Sequence, residues 1–272
     1  MFVQQAIAIL DSGVGGLTVA KEVMRQLPRE KIVYFGDTAR TPYGPRSSDE
    51  VRKFTEQIVD FLIQFGPKTI VIACNTATAA ALDYISGKVS IPVIGVIHPG
   101  ARAAISATKA GQVGVIGTVG TIRSGAYTTA LQQLSPYVKV VSQACPDLVP
   151  LVEQGLFRSE ETTAIVKRSL AGISQTDIDC LILGCTHYPF LKETIQEVIG
   201  GSVKLISSAN ETAREISTIL YNQGQLASRE ESPVHQFFCS GDPEMFKRIA
   251  KLWLGEQIRR TPVVWQVSRF DD

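Results

Sequence analysis

The sequence has no run near the roughly 18 consecutive apolar residues that suggest a membrane span. Met1 to Gln5 also lacks a basic stretch ahead of an apolar one, so neither an anchor nor an export signal is expected. Charge of one sign is missing as well: 27 basic side chains balance 26 acidic ones, which does not suit a polyanion-binding surface and argues against nucleic acid as a partner. The five cysteines, at 74, 145, 180, 185 and 239, are odd in number and contain no CxxC pair. That pattern indicates neither a disulfide framework nor a zinc ribbon, and it fits a reducing compartment. Only 19% of the 272 residues are charged against 44% hydrophobic, so the chain is not a disordered one and can build one large domain or two modest ones. A soluble, cytoplasmic protein is the expectation.

What is present is a repeated pattern of short β-branched runs: Ile7 to Leu10, Ile32 to Phe35, Ile70 to Ala73, Val93 to Ile97, Val113 to Ile116, Val138 to Val141, Leu181 to Leu183, Lys204 to Ile206 and Phe237 to Phe238. Nearly continuous hydrophobicity over such lengths predicts strands buried on both faces. Helical stretches lie between them. The clearest places Val51, Phe54, Ile58, Phe61, Leu62 and Phe65 on one face, and Ser47 with Glu50 has the spacing of a capping box at its start. Strands alternating with helices predict an α/β architecture with mainly parallel sheets.

A long-range echo adds to this. Ile70-Val71-Ile72-Ala73-Cys74-Asn75-Thr76 and Leu181-Ile182-Leu183-Gly184-Cys185-Thr186-His187 share one plan, a buried strand, a small residue, a cysteine and polar groups. Parallel open sheets bind ligands beyond the carboxyl ends of their strands. Two similar α/β domains facing each other across one cleft are therefore expected, with a division soon after Ile97. From Gly255 onward, Arg259, Arg260 and the apolar Val263-Val264-Trp265 are expected to pack either on the body or on another subunit.

The first strand leads into Asp11-Ser12-Gly13-Val14-Gly15-Gly16 and an amphipathic segment from Leu17 to Leu27. Glycines permit a tight turn, and the N–H groups at the following helix start favour an anion. Thr18 stands where a dinucleotide fingerprint requires its last glycine, and no Gly-Lys-Ser/Thr of a P-loop follows. A carboxylate is the better-sized guest, although in isolation this is a plain strand-to-helix turn. Similarly, Pro42 and Gly44 fix a turn that leaves backbone N–H groups and the Tyr43 ring available to a ligand; taken alone it is a surface turn.

The cysteines are sharper. A lone buried cysteine is ordinarily a small apolar residue. Packing gives no reason, however, to place Cys74 and Cys185 at matching strand ends, each beside polar neighbours and a helix start able to lower a thiol pKa. Two thiols on opposite sides of one carbon can take a proton from one face and return one to the other, inverting a stereocentre without a cofactor. The Cα proton of an amino acid is weakly acidic, so donors of the type of Ser12, Asn75, Thr76 and Thr186 are needed to stabilise developing negative charge. Asp11 and His187 are placed to orient the thiols or share their protons.

The ordered set Asp11-Ser12-Gly13-Val14-Gly15-Gly16, Pro42-Tyr43-Gly44, Cys74-Asn75-Thr76-Ala77, Gly95-Val96-Ile97, Gly184-Cys185-Thr186-His187-Tyr188-Pro189 and Ser240-Gly241-Asp242-Pro243 closely resembles bacterial glutamate racemase. The resemblance implies two similar α/β domains, taken as residues 1–97 plus 208–272 and 98–207, with the active site between them and the first completed by a returning C-terminal segment. It implies a cofactor-independent isomerase that interconverts L- and D-glutamate for peptidoglycan, with no metal, and a homodimer. Cys74 and Cys185 would be the acid/base pair, Cys74 acting on the D face and Cys185 on the L face. Asp11 and His187 would assist, and Asp11, Ser12, Tyr43, Gly44, Asn75, Thr76, Thr186 and His187 would contact substrate. The family suggests a supporting role for Glu153 too, in the ordinary setting Leu151-Val152-Glu153-Gln154-Gly155.

Other readings remain open from the residues alone. The same fold serves an aspartate racemase or a related cysteine-dependent isomerase or decarboxylase. Cys74, Cys185, His187 and Asp11 are chemically able to bind zinc, but match no recognised spacing. A non-catalytic amino-acid-binding module leaves the paired thiols unexplained. A pyridoxal phosphate enzyme needs a Schiff-base lysine in a phosphate-cup context, and none is evident. His98 is expected in a loop, His235 at an exposed strand end, and Cys145, Cys180 and Cys239 as core or surface thiols.

Overall fold

The computed structural model describes residues 5–228, 233–260, 262–268 and 270. Most of the Met1 to Gln5 segment and the side chains of Arg259 and Arg260 lie outside the described residues. Among the described residues, ten strands form two sheets. The first contains β1 (Ile7–Asp11), β2 (Ile32–Gly36), β3 (Thr69–Ile72), β4 (Val93–Gly95), β9 (His235–Cys239) and β10 (Val263–Val267); the second contains β5 (Gln112–Gly117), β6 (Lys139–Ala144), β7 (Cys180–Gly184) and β8 (Lys204–Ile206). Their orders are β10-β9-β2-β1-β3-β4 and β6-β5-β7-β8, with every pairing parallel.

Removing β10 and β9 from the first sheet leaves β2-β1-β3-β4, the same order as β6-β5-β7-β8. The echo thus has a topological basis, since β3 and β7 are equivalent strands and a cysteine follows each by at most two residues. One apolar cluster runs continuously from one sheet to the other, joining Ile7, Val71, Ile116, Leu181 and Cys185. Separate clusters cover the opposite faces, with Cys74 in that of the first sheet.

The capping box at Ser47 is present: its side chain accepts from the Glu50 N–H at 3.2 Å while Glu50 accepts from the Ser47 N–H at 3.0 Å. The helix it starts, Ser48–Ile63, stops short of Phe65, because Gly66 takes a left-handed φ of 58°.

Several expectations need correction. Val93 to Ile97 is not one strand: β4 ends at Gly95, and Ile97 opens the helix Ile97–Ala107. His98 is therefore an exposed first-turn helical residue, not a loop one, and Pro99 is tolerated beside it because first-turn N–H groups lack helical partners. β6 is an edge strand with much of its surface exposed, not buried on both faces. His235 is buried, not exposed. The strand it starts lies between β2 and β10, and its Nδ1 accepts the Ile32 N–H at 3.1 Å. Val263-Val264-Trp265 settles on the body, as part of β10, with Trp265 edge-on to Phe237 and Phe246. Cys145, Cys180 and Cys239 are all buried.

Candidate active site

Both sheets direct the carboxyl ends of their strands toward one small cavity lined by Ser12, Pro42, Tyr43, Gly44, Cys74, Asn75, Thr76, Thr118, Val149, Cys185, Thr186 and His187. Of the site residues expected from the sequence, Asp11 and Glu153 stand behind this wall rather than in it. Cys74 caps the helix Asn75–Lys88, its sulfur accepting from the Ala77 N–H at 3.4 Å and approaching the Ser12 hydroxyl at 3.5 Å. Burial pushes its thiol up to about 12; the charge of Asp11 adds to this, and the contacts from Ser12 and Ala77 oppose it. Cys74 is therefore held as a neutral thiol.

Cys185 has a different neighbour. Its sulfur lies 3.6 Å from Nδ1 of His187, whose Nε2 meets Glu153 Oε1 at 2.5 Å. Burial opposes a charge on this imidazole, yet the hydrogen bonds and charges of Cys185 and Glu153 win and hold its pKa well above the usual histidine range. Glu153, for which the family resemblance suggests a supporting role, is thus the third member of a Cys185–His187–Glu153 chain. The same Glu153 oxygen accepts the Val14 N–H at 3.2 Å.

The glycine turn now has an account. Its Gly13 N–H goes to Asp11 Oδ1 at 2.9 Å and its Val14 N–H to Glu153, so the carboxylates it holds are the protein's own. A Cβ on Gly13 would stand 2.2 Å from Glu153 Oε1, which accounts for glycine at that position. Asp11 is wholly buried, and burial raises its carboxyl pKa, with His187, the turn N–H groups and Thr186 opposing. It accepts the Thr186 hydroxyl at 3.0 Å and so fixes a cavity residue from behind.

On the facing wall, Asn75 Oδ1 accepts the Tyr127 hydroxyl at 2.7 Å, while its Nδ2 is buried without a hydrogen-bond partner. A buried donor left unpaired is costly, so an acceptor on a bound molecule satisfies it favourably. Thr76 meets Thr118 at 2.8 Å and Thr121 at 3.3 Å. Thr118 went unnoticed in the sequence, yet a signal existed: it follows β5 as Ser12 follows β1, and those two strands are equivalent. Tyr43 lines the cavity, but its hydroxyl donates to buried Asp37. Among the described residues, no group of three or more His, Cys, Asp or Glu side chains is arranged to hold a metal ion. No described helix is long and apolar enough to cross a membrane.

Comparison with known proteins agrees with this geometry. The Asp/Glu/Hydantoin racemase family model matches residues 15–216. A glutamate racemase of Bacillus cereus is 51% identical over 265 residues, 97% of this chain and 98% of that protein. The crystal structure of a glutamate racemase isoform from Bacillus anthracis superposes with a TM-score of 0.92 at 52% identity, covering 99% of this chain and 98% of that one. That of a Francisella tularensis glutamate racemase in complex with D-glutamate gives 0.88 at 34% identity, covering 98% of each. Matching over most of its length in both sequence and fold, the chain belongs to the Asp/Glu/Hydantoin racemase family.

Proposed function

We infer that the protein interconverts L-glutamate and D-glutamate by a cofactor-independent two-base reaction, supplying D-glutamate for peptidoglycan. The observation that carries this reading is that cysteines at equivalent strand ends of two sheets line one buried cavity. Near-complete alignment with proteins named glutamate racemase supports glutamate over aspartate.

In the L-to-D direction, Cys185, paired with the His187 imidazolium, removes the Cα proton from one face. The Cys74 thiol delivers its proton to the other. Negative charge that moves onto the substrate carboxylate is met by Asn75 Nδ2 and the hydroxyls of Ser12 and Thr76, with the Tyr43-Gly44 segment and Thr186, whose hydroxyl proton goes to Asp11, closing the wall. In reverse, the cysteines exchange roles. Asp11 and Glu153 act through Thr186 and His187. The reading also takes the chain to work as a homodimer in the cytoplasm, with domains of residues 1–97 plus 208–272 and 98–207.

Incubation with L-glutamate in deuterated water should yield D-glutamate carrying deuterium at Cα, with aspartate turned over poorly. Cys74→Ala and Cys185→Ala should each abolish conversion and retain the native circular dichroism spectrum. Full activity in either variant, product without exchange, or a preference for aspartate overturns the reading.

A further inference from the structure

We propose that Ser240 and Asp37 are positioning residues that set the loop presenting Tyr43 and Gly44 to the substrate. The proposal rests on the cavity being the glutamate site and deepens that reading. Asp37 follows β2 and is wholly buried. Its Oδ2 accepts from Arg40 Nε at 2.7 Å and from the Tyr43 hydroxyl, and its Oδ1 accepts the Ser240 hydroxyl at 2.7 Å. One carboxylate thereby holds the start, middle and end of the loop that carries Tyr43 and Gly44 into the cavity wall. Tyr43 is itself buried, so its ring position is tied to that of the carboxylate it donates to.

The far end of this arrangement comes from distant sequence, the Ser240-Gly241 turn after β9. Ser240 Oγ also accepts the Ala39 N–H at 3.0 Å, and the Gly241 N–H donates to Thr38 Oγ1 at 2.9 Å. The two backbones approach so closely that a Cβ on Gly241 would lie 2.8 Å from Thr38 Oγ1 and 3.2 Å from the Ala39 nitrogen. Arg40 is braced in turn, its guanidinium 4.2 Å from the centre of the Phe54 ring. None of these groups except Tyr43 lines the cavity. Their one direct bond to a side chain of the cavity wall is that from the Tyr43 hydroxyl to Asp37, beside the bonds that hold Thr38 and Ala39 in the same loop, and that gives the proposal a distinctive prediction.

Steady-state racemisation of both enantiomers should be measured for the unsubstituted protein, Ser240→Ala, Tyr43→Phe and the double variant. Ser240→Ala removes a donor to a buried carboxylate and is expected to raise KM about tenfold with kcat within about twofold. Tyr43→Phe should do likewise, and the double variant should fall well short of the product of the two single effects, because the substitutions cut overlapping paths. Ser240→Thr, which keeps the hydroxyl, should recover most of the lost affinity. If Ser240→Ala does not fold, Asp37→Asn, which keeps the side-chain volume, takes its place in the same cycle. An unchanged KM, or effects of the two single substitutions that multiply, overturns the positioning role. Absence of glutamate turnover in the unsubstituted protein would instead sink the functional reading, and this proposal with it.

Discussion

Replacing Glu153 by glutamine isolates the chain that runs from Glu153 through His187 to Cys185. The side chain keeps its shape and can still reach His187, but its negative charge is gone. Glu153 is only 17% exposed and His187 2%, so solvent does little to screen the charge being removed. The imidazolium then loses a principal support, and its pKa must fall from its raised position. The Cys185 thiolate loses an opposite charge at its side, a weakening taken as about 1.5–3 kcal/mol, or a roughly ten- to hundredfold fall in turnover if it is expressed in the transition state. The basic limb of the pH profile should move toward lower pH, because less His187 is protonated at any given pH.

The same variant reports which face Cys185 serves. Enantiomers have equal free energies in water, so kcat/KM must fall equally in both directions. A selective effect appears instead in isotope effects. Slowing the step in which Cys185 takes the proton makes that step more rate-limiting. The primary isotope effect on kcat/KM should therefore grow for α-deuterated L-glutamate and shrink for α-deuterated D-glutamate, as followed by circular dichroism of the conversion. Unchanged turnover and an unmoved pH profile in Glu153→Gln would refute the role given to this chain. The opposite pattern of isotope effects would exchange the faces assigned to the two cysteines.

Two further substitutions test the framework. Burial and the nearby Lys31 push the His235 imidazole down to about 4, so in the folded state it is neutral and accepts the Ile32 N–H. Its stabilising contribution, about 3 kcal/mol from the shift below a reference near 6.5, is complete above that reference and is lost as pH falls toward the folded value. Urea unfolding should show this loss between about pH 6.5 and 4 in the native protein, and His235→Asn should flatten it. Lys68 and Glu30 form a buried ion pair at 2.5 Å. Lys68→Met leaves the carboxylate without its cation, and urea unfolding should register a loss of about 3–5 kcal/mol; a loss below about 1 kcal/mol would show that the carboxylate had found another partner or taken up a proton.

The legible part of this molecule was the part that repeats or is uninterrupted. Buried parallel strands such as Ile70 to Ala73 announce themselves by continuous hydrophobicity, and the paired cysteines by the polar neighbours that follow them. What stayed hidden depends on partners distant in the chain. β10 alternates partly buried and exposed residues and becomes a strand only by pairing with β9, so Val263-Val264-Trp265 carried too little pattern to place. His235 reads as exposed for the same reason, since β10 lies beside the strand it begins. Glu153 sits at the end of an unremarkable short helix, and only folding reveals that it meets both His187 and the glycine turn. Thr118 was within reach, because the Cys74 and Cys185 echo implies equivalent sheets and hence a counterpart to Ser12 after the first strand of the second sheet.

The cavity also constrains how the reaction can run. Around its rim, bonds cross from one sheet's loops to the other's: Gly120 N–H to Gly44 O at 2.9 Å, Thr76 to Thr118 at 2.8 Å, Tyr127 to Asn75 at 2.7 Å and Thr186 to Asp11 at 3.0 Å. A Cβ on Gly120 would lie 3.0 Å from Gly44 O and 3.1 Å from Thr76 Cγ2, so glycine here permits the close backbone approach. The free space inside is about 10 Å³, the scale of a single water molecule. Entry of glutamate is therefore expected to require the rim to open. The Thr76 and Thr186 hydroxyls, which clasp the two halves, also face the cavity, so a bound carboxylate competes for them with the closed rim, whereas Asn75 Nδ2 is free to donate while its Oδ1 keeps the Tyr127 bond. Each such bond contributes only about 0.5–1.5 kcal/mol net, because water replaces it on opening. The polar rim therefore adds little to the cost of opening beyond the apolar cluster the two sheets share, and closure on glutamate is expected to be what brings both sulfurs to one carbon.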